Sequence, residues 1–223
     1  MLGIIGGTAL LQARLPPLEK IRVATPFGPA EAYIGKIVLL NRHLNRTPPH
    51  QINHKANLAA MKILGVDRLI VIGSTGSMKE AIHPGSLIIP DDYFSPWDIP
   101  TLHDNDVFHV PPSIDPGLRA ELAGIIPEAV SGTYFQTHGP RFETRSEIAC
   151  FAHDTDVVGM TVASELALAN ELGIKCAALC TVDNYANGIG GASAPDYDEI
   201  VRISGQNGDK ITHILTKIVE KLA

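Results

Sequence analysis

Four short stretches of the chain combine residue types that can hold an anion. Gly6-Gly7-Thr8 follows an apolar run and sets backbone N–H groups beside a hydroxyl, a combination that cradles oxyanions. Arg42 and His43 are adjacent donors in a chain otherwise poor in clustered positive charge. Gly73-Ser74-Thr75-Gly76-Ser77 adds small residues and hydroxyls, and Met160-Thr161 sets an apolar side chain beside another hydroxyl. Each stretch also has a plainer reading, a tight turn for the glycines or a solvated surface pair for Arg42 and His43. Together they suit phosphate or a phosphate-like substrate. Neither the dinucleotide spacing GxGxxG nor a P-loop GxxxxGK(S/T) occurs, which disfavours both of those chemistries.

These donors sit just after apolar runs, so the elements that must position them are strands whose carboxyl ends share one edge. Short β-rich runs at residues 2–5, 68–72, 87–89, 134–136, 157–159 and 174–182 alternate with helical patterns at 57–64, 115–126, 145–152 and 164–172. Residues 32–34 and 37–40 read as a hairpin around Gly35-Lys36, and residues 73–77 as a small-residue turn. Asp115-Pro116 is an N-cap and first-turn pair, Gly173 a C-cap, and residues 196–222 one long or broken helix weakened at Gly205 and Gly208. Residues 90–116, with the only tryptophan, Trp97, read as a long loop of the functional kind. The expected fold is α/β, a single domain over residues 1–223 with a mixed, mostly parallel central sheet flanked by helices.

Composition narrows the partners. The 223 residues are 45% hydrophobic and 19% charged, enough to bury one sizeable core. Against 24 acidic residues stand 18 Lys and Arg, a net charge of −6 without a basic cluster, so no nucleic-acid partner is expected. No apolar run approaches the ~20 residues of a membrane span, and the N-terminus carries no basic leader pattern, so a soluble, cytoplasmic protein is expected. Cys150, Cys176 and Cys180 lack zinc-ligand or CxxC spacing and read as thiols, those at 176 and 180 on one face of a buried strand.

LGIIGGT at the N-terminus, Thr25-Pro26-Phe27-Gly28, Arg42-His43, Pro49-His50-Gln51-Ile52-Asn53 with Ala56-Asn57, Gly139-Pro140-Arg141-Phe142-Glu143-Thr144, Gly159-Met160-Thr161 and Glu165 run in order over most of the chain. The chain thereby resembles the trimeric purine nucleoside phosphorylase and methylthioadenosine phosphorylase family. The resemblance implies a nucleoside phosphorylase-like fold and phosphate-dependent cleavage of a purine nucleoside, or its 5′-methylthio analogue, to base and sugar 1-phosphate. It implies no cofactor and no metal, and a homotrimer or dimer of trimers. Carried over residue by residue, phosphate falls to Thr8, Arg42, His43, Ser74 and Thr161, the ribose to Met160, and the base to Phe142. His109 resembles the histidine that the family sends into a neighbouring subunit's site. The chain departs from the family at Ala9, Leu44, Gly73 and Ala163-Ser164, and Gly73 removes a phosphate-touching hydroxyl.

The base-reading position of the family falls on Asn184. A carboxamide both donates and accepts, so it suits O6 and a protonated N7 of a 6-oxopurine, and Glu143 can accept from the N1 hydrogen that adenine lacks. Asp183 stands one residue away, and a slip of one would reverse the preference. Tyr197 matches the 5′ side and suits either a hydroxyl or a methylthio group. Methylthioinosine, inosine and guanosine are the expected substrates, with a methylthioadenosine phosphorylase or a non-catalytic nucleoside-binding protein as alternatives. A nucleosidase would use water and have little need of Arg42, His43 and Thr8.

Overall fold

Ile4 and Ile5 are both fully buried, yet they face opposite ways and enter different hydrophobic clusters. A strand buried on both faces needs a layer of helices on each side. That strand is β1 (Leu2–Gly6), in a computed structural model that describes residues 1–7, 10, 17–97, 99–192, 195–196, 200, 202–203 and 208–223.

The further strands are β2 (Glu19–Thr25), β3 (Gly28–Ile34), β4 (Val38–Asn41), β5 (Arg68–Ser77), β6 (Leu87–Phe94), β7 (Val130–Gln136), β8 (Val157–Gly159) and β9 (Lys175–Tyr185). Their order is β2-β3-β4-β1-β5-β8-β7-β6-β9, and β9 also pairs with β5. The pairs β1–β4, β1–β5, β5–β9, β6–β7 and β7–β8 are parallel, so the mixed, mostly parallel sheet is as expected. Helices α1 (His54–Ile63) and α4 (Val162–Glu171) pack with Ile5 and Val71 on one face. Helices α2 (Pro116–Ile125) and α5 (Gly208–Leu222) pack with Ile4 and Ile70 on the other. In α5, Ile211, Ile214, Leu215, Ile218, Val219 and Leu222 recur at three- and four-residue steps and form its buried stripe. The short α3 (Arg145–Phe151) starts on a capping box in which Thr144 and Glu147 each accept the other's backbone N–H.

Local signals placed most elements. The Asp115 carboxylate accepts from Leu118 N at 2.8 Å and caps α2 as expected. Asn53 caps α1 by accepting from Ala56 N, so that helix begins at His54, three residues before its expected start. Two expectations need correction, and one strand went unread. Residues 73–77 are not a turn, because β5 continues through them in register with β9, and their backbone groups serve the ladder. Residues 90–94 belong to β6, paired with β7, so the long loop is shorter. Residues 19–25, unassigned in the sequence, form β2 against β3, with Ile21 and Val23 supplying a period-two signal. Of the terminal helix expected over residues 196–222, residues 197–199, 201 and 204–207 lie outside the described residues, and α5 begins at Gly208.

Candidate active site

Because β1, β4, β5 and β9 run parallel, Gly6, Asn41, Ser77 and Tyr185 end on one edge of the sheet. Just past the first two of these lie Gly7 and the pair Arg42-His43. A Cβ built on Gly7 would lie 2.6 Å from His43 Cδ2, 2.9 Å from His43 Nε2 and 3.1 Å from Arg42 Nη1. Any side chain at position 7 would therefore displace the two donors, and glycine lets the backbone approach both.

Arg42 is held from several sides. Its Nε donates to Glu165 Oε1 at 2.7 Å and Nη2 to Glu165 Oε2 at 2.6 Å, while Nη1 donates to the Ile72 carbonyl at 2.9 Å and Nη2 also reaches that of Ile5 at 3.5 Å. A guanidinium has five N–H donors, and these contacts leave one hydrogen, on Nη1, the guanidinium atom that reaches the Gly7 position. Burial disfavours the Glu165 charge, but Arg42 and His54 outweigh it and hold the carboxyl below its ordinary range. His54 Nδ1 lies 3.6 Å from Glu165 Oε1, and this histidine was not legible as a site residue because only the fold brings α1 to α4.

His43 Nδ1 lies 2.8 Å from the Thr47 carbonyl. Burial and the neighbouring Arg42 push its pKa down, against that hydrogen bond. Ser74 donates its hydroxyl to Asp183 Oδ2, and Asp183 is 1% exposed. Burial pushes that carboxyl's pKa up, with the Ser74 and Thr181 hydroxyls opposing. The β5–β9 register jumps from Thr75↔Val182 to Gly76↔Asn184, so Asp183 occupies a bulge. Half-buried Asn184 donates its amide to the Tyr185 carbonyl at 2.7 Å.

Thr161 precedes α4, yet the backbone N–H groups of Thr161, Val162 and Ser164 are already engaged. The Tyr134 hydroxyl accepts from Thr161 N at 3.2 Å and Val162 N at 3.3 Å, and Gln136 Oε1 accepts from Ser164 N at 3.1 Å. That last bond explains how the chain uses serine at 164, since proline would have no N–H to give. Met160 packs its sulfur against Gly139. Glu143 is buried, its Oε1 accepting from the Thr137 hydroxyl at 2.6 Å, and its carbonyl accepts from Asn187 Nδ2 at 3.1 Å. Half-buried Phe142 follows Arg141, which is paired with Glu147 at 2.7 Å. A cleft of about 200 Å³ lined by Trp97, Phe135, Thr137, His138, Glu143 and Phe151 adjoins this segment and excludes Arg42, His43 and Asp183.

The fold thus joins Gly7, Arg42 and His43, and separately Ser74 with Asp183. His109 is exposed in the loop after β6, with no described hydrogen bond to the other candidates. Thr8 and Tyr197 lie outside the described residues. Tyr134 and Gln136 were missed because their partners, Thr161, Val162 and Ser164, lie 27 or 28 residues away, and Thr137 because a lone threonine six residues before Glu143 carries no signal of its own.

The chain belongs to the phosphorylase superfamily, whose profile matches residues 1–220. It is 41% identical to a probable 6-oxopurine nucleoside phosphorylase of Archaeoglobus fulgidus, covering 100% of this chain and 97% of that protein. It is 40% identical to a probable S-methyl-5′-thioinosine phosphorylase of Methanocaldococcus jannaschii, covering 85% and 80%. In fold it is similar to a Schistosoma mansoni adenosine/methylthioadenosine phosphorylase variant, with a TM-score of 0.88 at 24% identity, covering 98% and 90%. Among the described residues no helix is long and apolar enough to cross a membrane.

Proposed function

We propose that this chain is a purine nucleoside phosphorylase that cleaves the glycosidic bond of a 6-oxopurine nucleoside with inorganic phosphate, giving free base and a (methylthio)ribose 1-phosphate. The observation that carries it is the convergence of Arg42 Nη1 and His43 Nε2 over the Gly7 backbone at the carboxyl edge of the sheet. The relatives' names support the same reaction. Thr8, Arg42, His43, Ser74 and Thr161 hold phosphate, Met160 lies under the ribose, and Phe142, Glu143 and Asn184 receive the base, with Tyr197 on the 5′ side. Catalysis consists of holding phosphate against C1′ while donors stabilise the leaving purine. The chain acts as one cytoplasmic domain in a homotrimer or dimer of trimers, with His109 completing a neighbour's site.

A second reading, a methylthioadenosine phosphorylase, is favoured by Asp183, an acceptor of the kind that a 6-amino group needs. Inosine, guanosine, methylthioinosine, adenosine and methylthioadenosine assayed with and without phosphate decide. Base release should require phosphate and favour 6-oxopurines by about 100-fold. Release by water alone, or equal use of methylthioadenosine, overturns the proposal.

A further inference from the structure

We propose that His43 accepts a hydrogen bond from the P–O–H group of bound hydrogenphosphate and thereby selects protonated oxyanions over sulfate. The inference rests on the phosphate site proposed above. The Thr47 carbonyl, 2.8 Å from Nδ1, can only accept, so Nδ1 carries the ring proton and the neutral ring presents a lone pair at Nε2. Nε2 is also the nitrogen that overhangs Gly7, 2.9 Å from the position a Cβ would take. The charged or titratable groups facing the ring are Arg42, Glu165 and His54. Burial and Arg42 favour the neutral ring, while Glu165 and the Thr47 bond oppose them, and the balance lies toward neutral.

A lone pair aimed at an anion repels it unless the anion supplies a hydrogen. Hydrogenphosphate and hydrogenarsenate each supply one near neutral pH, and sulfate and selenate supply none. The reaction also has to dispose of that hydrogen. The C1′–O bond to phosphate forms as C1′–N9 breaks, the electron pair leaves with the purine, and the sugar phosphate departs as a dianion. The P–O–H proton passes to Nε2, the purine anion takes a proton from water, and the resulting hydroxide discharges the imidazolium.

Calorimetric titration of the full chain near pH 7 with sodium phosphate, arsenate, sulfate and selenate tests this. Phosphate and arsenate should bind at least about 10-fold more tightly than sulfate and selenate. In His43→Gln, whose amide can donate as well as accept, sulfate should come within about threefold of phosphate. The wild-type series decides even if that variant does not fold. Equal wild-type affinity for phosphate and sulfate overturns the proposal, and a proton taken up on sulfate binding would show His43 to be a charged donor instead. Absence of saturable binding for all four anions would instead remove the phosphate site itself.

Discussion

Arg42 and Glu165, 123 residues apart in the chain, meet in a two-point ion pair whose side chains are 2% and 0% exposed. Two parallel charge-assisted bonds orient the guanidinium plane and leave Nη1 toward Gly7. The carboxylate from α4 therefore aims the arginine that follows β4.

Removing Arg42 strands a buried carboxylate. Arg42→Ala should lose about 3–5 kcal/mol of stability, a fall in Tm of roughly 6–20 °C for a chain of this size. The folded pKa of Glu165 is depressed, so the pair's contribution is complete above the ordinary carboxylate value and lost as pH falls through the folded one. Thermal unfolding at neutral and acid pH should accordingly show the difference from wild type shrinking in acid. An equal difference at both would mean that the ion pair is not its source.

Asp183 has the opposite sign. Its folded pKa is raised, so its contribution to stability is present below the unfolded value and lost as pH rises through the folded one. Asp183→Asn keeps an acceptor for Ser74 and removes the desolvated charge. It should stabilise by about 1 kcal/mol, or ~3 °C in Tm, above neutral pH and have no benefit in acid. Destabilisation at high pH would show that the charge itself is needed.

The surroundings of Gly73 are full. A Cβ there would lie 2.7 Å from Val162 Cγ2 and 3.1 Å from Cys180 Sγ. Gly73→Thr should cost about 1–3 kcal/mol by overpacking, and Val162→Ala should recover part of it. Denaturant titration of the double-mutant cycle should give a favourable coupling, and strict additivity would refute the steric account.

Base selection should follow Glu143 and Asn184. Glu143→Gln should lower kcat/KM for inosine at least 10-fold, since a hydrogen bond to a charged acceptor contributes about 1.5–3 kcal/mol. Asn184→Asp should admit adenine nucleosides, whereas Asp183→Asn should leave the preference intact, because half-buried Asn184 is open where Asp183 is 1% exposed. A switch caused by Asp183→Asn alone would move base recognition to position 183.

What the sequence determined by itself was local or periodic. The α2 and α3 helices, strand β8, the donors after β1 and β4, and the apolar stripe of α5 all follow from neighbours within a few residues. Caps and period-two or helical patterns act over that range. Strand extent at residues 73–77 was decided otherwise, because a run of small residues becomes strand or turn according to whether a second strand, here β9, offers it a ladder. Tertiary structure also decided that Arg42 answers Glu165, that Ser74 answers Asp183 109 residues away, and that Gln136 answers Ser164. Hydrogen bonding and desolvation depend on separation in space, so the pKa shifts of His43 and Asp183, both toward the neutral form, arise only once distant segments have packed around them.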